Sequence, residues 1–193
     1  MISKKHIINA LVFFIILILL FFREYLYTYR MMLTNFVPYE LYQNQVLFFS
    51  TFNDEYKMTL PAAVRLIPIF FYFIIYKTVP CFKLTNISGD ISDDYVCATH
   101  AVALGNYILL ILILVLFLYY QIIIQGKSKQ EGYLSIFLCY AILKYLDHFA
   151  IDRFVVLYLI LILFFLNNFK VSVFLVICSF MVSEKIFFIT GIL

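Results

Sequence analysis

Apolar residues fall in runs along this chain, not in alternation, and the runs are unequal. Ile7 to Phe22 is the first and Ala101 to Gln125 the longest. Tyr133 to Leu146, Phe154 to Leu166 and Val171 to Val182 follow at shorter length. A helix needs about 20 mostly apolar residues to cross a bilayer. By that measure the first run and Ala101 to Gln125 predict membrane spans. The later runs predict short spans, and Lys144 interrupts the first of them. From Arg23 to Leu60 the chain mixes Arg23, Arg30, Glu40, Asp54, Glu55 and Lys57 with many aromatics. That stretch is too polar to span and too aromatic for a disordered linker, which predicts short helices lying in the interface. Pro61 to Tyr76 is brief, with Arg65 one turn in and Pro68 close by. It reads as a second span or as a re-entrant segment.

The predicted fold class is all-α: a polytopic transmembrane helical bundle, with interfacial helices in the first loop and short or re-entrant segments. Residues 1–193 read as a single transmembrane domain, with no internal repeat. After Ser183-Glu184-Lys185 the chain begins what looks like another apolar segment. It therefore reads as readily as a fragment of a longer protein as a complete one.

Composition points the same way. Of 193 residues, 65% are hydrophobic and 13% charged, against roughly 25% charged in globular chains. A soluble domain of ~150 residues buries only about 70% of its unfolded surface, too little to hide this much apolar area. The chain has 23 Phe, 16 Tyr and no Trp; with abundant Ile, Asn and Lys this reads as an AT-rich coding sequence without functional meaning. The net charge of +3 comes with no basic run suited to nucleic acid. Lys4 and Lys5 before an apolar run resemble a signal peptide, but bulky residues follow where a cleavage site should be, so the run reads as an uncleaved first helix. Cys139 and Cys178 sit in apolar runs, as small hydrophobes do. Cys81 and Cys97 flank a polar loop and can pair if it faces an oxidising compartment. No Cys or His spacing suggests zinc. Asn86-Ile-Ser88 is a glycosylation sequon, meaningful only in a eukaryotic secretory setting.

Lys and Arg in short loops mark the inner side of a membrane. Lys4 and Lys5 put the N-terminus inside, and Lys127 and Lys129 put the loop after the long run inside. Both hold if Arg23 to Thr99 begins and ends outside, which makes Pro61 to Tyr76 re-entrant or pairs it with a second, weak span. Asp147, Asp152 and Glu184 then share the outer face with the Asp-rich loop. That clustering favours this topology for a multi-pass protein of the plasma or inner membrane, in contact with membrane lipids.

Ionisable groups at membrane depth are costly and so are candidates for function. Arg65 lies inside an apolar run and can grip phosphate with two parallel hydrogen bonds; an ion pair is the plainer reading. Asp54 and Glu55 precede that run, as a general base or as solvated loop charges. Asp147 and Asp152, with His148 and Arg153, form the densest charged cluster between two runs. Their oxygens could bind a divalent cation, though an interfacial turn explains them too. His100 and His148 fall near one surface and could in principle ligate a haem, but neither sits within the membrane among small residues that would make room for one.

The order of these pieces is similar to the N-terminal half of multi-spanning GT-C type glycosyltransferases and polysaccharide-assembly proteins. A first helix precedes a loop with an acidic residue. Arg65-Leu-Ile-Pro68 opens an apolar segment, Asp147 to Asp152 precedes the run at Phe154, and Asn167-Asn-Phe-Lys170 makes a turn before Val171 to Lys185. The resemblance implies transfer of sugar from a lipid-phosphate donor at the outer face. Asp54 would be catalytic base with Glu55 beside it, Arg65 would hold the phosphate, and Asp147 or Asp152 would hold the acceptor or a cation. The chain departs from the pattern in having no Asp-x-Asp motif, in the distance of Asp54 from helix one, and in its shortness. The competing expectations are a non-catalytic membrane subunit of a larger assembly, such as a respiratory complex with partner subunits, and a transporter fragment.

Overall fold

The computed structural model describes residues 15, 22, 25–30, 33, 40–51, 65–82, 92–148, 153–165, 168–179 and 181–182; at 40, 41, 129 and 142–148 it describes the backbone alone. The described chain is all helical, without strands. Its helices are α1 (Glu40–Thr51), α2 (Leu66–Thr78), α3 (Asp93–Tyr119, continued by a π-helical turn, Tyr120–Ile124), α4 (Lys129–His148), α5 (Arg153–Phe164) and α6 (Phe169–Ser179). Residues 25–30 are helical as well.

α3 is the axis of the fold, with α1, α2, α4 and α5 all packed on it. It starts earlier than its apolar run. Ser92 caps it by accepting from the Tyr95 amide, and Asp93 and Asp94 occupy the first turn. A capping hydroxyl satisfies an otherwise orphaned amide, and carboxylates are favoured against the positive end of the helix dipole. Asp93 to Thr99 is therefore helix, where the sequence suggested loop. Among the described residues, Asp93–Ile124 is the helix long and apolar enough to cross a membrane. α2, α5 and α6 have 13, 12 and 11 residues, or about 17–20 Å at 1.5 Å per residue, well short of a ~30 Å hydrocarbon core.

The contacts fix how the helices run. α2 lies antiparallel to α3, with Tyr72 bonded to Asn106 and Cys81 joined to Cys97. Pro68 sits in the first turn of α2, where a missing amide hydrogen costs little. By the rise per residue, Arg65 lies roughly 10 Å below Tyr72. α2 thus begins partway along α3 and climbs to the disulfide. α5 runs the other way: Phe154 packs on Phe71 and Tyr72, and Phe164 meets Tyr119 and Tyr120. α6 returns to α2, where the Ile67 amide donates to the Met181 carbonyl. One end of the bundle carries the disulfide, Asp93, Asp94 and Lys77; the other carries the exposed Lys127, in the turn before α4, and Lys170, in the first turn of α6.

Small residues let α2 approach. Ala98, Ala101, Ala103 and Gly105 lie buried along α3. A Cβ on Gly105 would fall 2.6 Å from the Tyr72 ring and 3.0 Å from Phe71. Close backbone approach through small residues is how helices associate where lipid removes the hydrophobic drive between them. The core around this contact is Tyr29, Leu47, Ile69, Tyr72, Leu109, Leu110 and Ile113.

The turn between α3 and α4 is set by local chemistry. The Lys127 amide donates to the Gln121 carbonyl across Gly126, which has φ 64°. A left-handed residue at a helix end is where glycine is least costly. α4 then opens with a reciprocal cap. The Ser128 hydroxyl and amide donate to Glu131 at 2.7 and 2.8 Å, and the Glu131 amide donates to the Ser128 oxygen at 3.3 Å. These bonds, the hydroxyl's first and the amide's second, hold the Glu131 carboxyl below its usual range. A depressed carboxyl contributes stability above its unfolded pKa and loses it as pH falls through the folded value. Amide hydrogen exchange should therefore show the first turn of α4 fraying at acid pH, and Glu131→Gln should remove that dependence. A first turn equally protected at acid and neutral pH would show the cap to be unimportant.

Candidate functional site

Two polar arrangements line α3. The first joins α1 to α3. Tyr95 donates to Gln43 Oε1 at 2.8 Å, Gln43 Nε2 donates to Thr99 Oγ1 at 2.9 Å, and Thr99 donates to the Tyr95 carbonyl at 2.7 Å. Gln43 and Thr99 are buried. Buried polar groups are costly unless paired, so the closed set of bonds explains how a glutamine stands on the inner face of an aromatic helix. Two turns further down α3, Tyr72 donates to Asn106 Oδ1 at 3.0 Å, and Arg153 Nη1 donates to the Asn106 carbonyl at 2.7 Å. Arg153 is buried at the start of α5. It thus belongs to the junction of α2, α3 and α5, and is not a solvated member of an interfacial turn.

The second arrangement is a pocket of about 220 Å³ near the disulfide end, lined by Phe22, Tyr25, Phe82, His100, Leu104 and Tyr107. Tyr25 and His100 Nδ1 share a 2.6 Å hydrogen bond, and both residues are buried. Their rings meet edge to face at 5.9 Å, and Tyr29 also meets His100 edge to face, a favourable geometry for ring quadrupoles. The Pro80 carbonyl is the other polar group near the imidazole, but Nε2 makes no hydrogen bond that holds full geometry. Tyr29 donates to the Phe82 carbonyl at 2.7 Å, and Cys81 is bonded to Cys97. The Phe82 backbone is thus held through its carbonyl and through its bonded neighbour Cys81, while its ring stays half exposed. His100, Leu104 and Tyr107 come from successive turns of α3, Phe22 and Tyr25 from the chain ahead of α1, and Phe82 from the connection between α2 and α3. The surface so formed is apolar and aromatic, suited to a hydrocarbon and not to a sugar.

Of the residues singled out from sequence as site residues, Arg65 is the one whose side chain is described. Asp54, Glu55 and Asp152 lie outside the described residues. Asp147 is in the last turn of α4, its backbone alone described. Arg65 is partly buried just ahead of α2, where it holds the capping position without a side-chain cap. Arg65 is not among the residues that line the pocket. Among the described residues, no three His, Cys, Asp or Glu side chains gather as a divalent cation would need. His100 is engaged by Tyr25, and the His148 side chain lies outside the described residues.

Tyr25, Tyr107 and Phe82 carry no polar signature that separates them from the many other aromatics, and so the sequence conceals the pocket. Thr99, His100 and Asn106 did leave a sign. They are polar positions on one helix that is otherwise apolar, and each turns out to face a helix neighbour. No protein family, curated protein or solved structure matches the chain.

Proposed function

We propose that the chain is a multi-pass membrane protein whose outer face is the disulfide end, and that it acts there on a lipid-phosphate-linked sugar, in the manner of GT-C type glycosyltransferases. The observation that carries the membrane part is α3, a helix of span length and apolarity on which α1, α2, α4 and α5 pack. Two independent features support the orientation. A disulfide persists on the oxidising side, and Cys81–Cys97 is at one end. Lys127 and Lys170 stand at the other end, as the inner side favours. The start of α2 partway along α3 supports a re-entrant Pro61 to Tyr76 segment, entered and left from the outer side.

The reaction is supported by the order of sequence elements. Asp54 takes the proton of an acceptor hydroxyl as general base, and Glu55 stands beside it. The freed oxygen attacks the sugar's anomeric carbon, and the lipid phosphate departs with the bonding pair. Arg65 neutralises that phosphate, which a guanidinium does with directed hydrogen bonds. Asp147 and Asp152 hold the acceptor or a divalent cation. The purified protein, supplied with lipid-phosphate sugars, should transfer sugar. Asp54→Asn should lower the rate by about 100-fold or more, the scale of a lost general base. Undiminished transfer by D54N removes Asp54 from the mechanism, and no transfer by the unaltered protein removes the activity.

A further inference from the structure

We propose that the His100 pocket holds one acyl chain of a phospholipid from the outer leaflet, clamped by Phe82, whose backbone the Cys81–Cys97 disulfide holds. The proposal rests on the membrane reading above but not on sugar transfer.

The occupant follows from size, lining and continuity. At about 220 Å³, the pocket is smaller than the roughly 300–1,000 Å³ of sites for drug-sized ligands. It admits part of a chain and excludes a sugar-bearing headgroup. Its walls are rings and one leucine, with the Tyr25 hydroxyl and His100 already joined to each other. The pocket also does not end blindly. Leu104 begins a row on α3 that continues through Ile108, Leu112 and Val115, which are large, apolar and exposed. Residues at such spacing share one helix face. From Cys97, in the disulfide, to Tyr107, in the pocket lining, is roughly 15 Å at 1.5 Å per residue, the ~15 Å of one leaflet of a ~30 Å core. A chain whose ester end lies level with the disulfide would pass through the pocket and end where this row begins. Leu134, Phe137 and Leu138 on α4 are exposed, none of them lines the His100 pocket, and they would meet only exchanging lipid.

The absence of tryptophan makes a clean test possible. Phe82→Trp and, separately, Phe137→Trp each place one indole in the protein. Each variant is reconstituted in phosphatidylcholine brominated along the acyl chain, which quenches indole on contact, and then diluted into micelles of unbrominated detergent. F137W should recover its fluorescence at once. F82W should stay quenched at least ten times longer, and a reductant should shorten that time by opening the disulfide. In the unaltered protein, native mass spectrometry should find one phospholipid retained per chain, and Leu104→Phe, which fills the pocket, should abolish it. Equal recovery by both indoles, or no retained phospholipid in the unaltered protein, overturns the held chain. Failure of F137W to be quenched at all, even before dilution, overturns the membrane reading on which the proposal rests.

Discussion

Replacing Gly105 by valine is expected to separate α2 from α3 and lower stability by about 3 kcal/mol, the upper end of what overpacking costs. The competing effect is small. Putting a side-chain carbon in place of a helix-interior glycine gains at most about 1 kcal/mol in propensity, and less for a β-branched residue. The clash dominates because its partner cannot move aside. The Tyr72 ring lies 2.6 Å from where a Cβ would be. Its hydroxyl is bonded to Asn106, and its faces and edges meet Tyr42, Phe71 and Phe154. Thermal unfolding in detergent micelles measures the loss. Combined with Tyr72→Ala, the loss should be smaller than the sum of the two single losses, since the two positions touch and their effects should not add. A valine variant that melts with the unaltered protein would mean that α2 does not sit on α3 as described.

The disulfide gives the second large effect. Cys81 and Cys97 are 16 residues apart, and closing a loop of ~15 residues contributes about 3 kcal/mol in the chain-entropy account. Its local consequences are wider than that figure. It joins the end of α2 to the start of α3 and holds the backbone at Phe82, whose carbonyl anchors Tyr29. Cys97→Ser should therefore melt lower by that order and bring early proteolysis near residues 78–97, while the α3–α4 turn stays protected. Reduction of the unaltered protein should reproduce the change, and reduction of the serine variant should add nothing. Identical melting with and without reductant would contradict the bridge.

How far the sequence could be read follows from which interactions are local. The apolar runs located α2 to α6 because helices in so apolar a chain need little beyond their own backbone bonds. Arg23 to Leu60 was read as containing short helices, and α1 lies within it. The boundaries were missed where a cap decided them. Ser92 with Asp93 and Asp94 starts α3 well before Ala101, and Ser128 with Glu131 starts α4 ahead of Tyr133. The pairing of Cys81 with Cys97 was legible as a possibility from their flanking of one polar loop. Tertiary pairings were not legible. Nothing local tells that Tyr25 meets His100, that Gln43 joins Tyr95 and Thr99, or that Arg153 donates to the Asn106 carbonyl. Asp54, Glu55, Arg65, Asp147 and Asp152 stand out in the sequence because they are charged beside apolar runs. The pocket is made by residues whose importance comes only from where the fold brings them.

The central claim is that α3 crosses a membrane with the disulfide end outside. An impermeant amine reagent, applied to sealed membranes of known orientation and followed by mass spectrometry, tests it most directly. Lys77 is exposed near the disulfide end, and Lys127 and Lys170 are exposed at the opposite end. With reagent on the outer side, Lys77 should be modified while Lys127 and Lys170 stay unmodified until the membrane is permeabilised. Modification of Lys77 and Lys127 from the same side of an intact membrane would contradict the account.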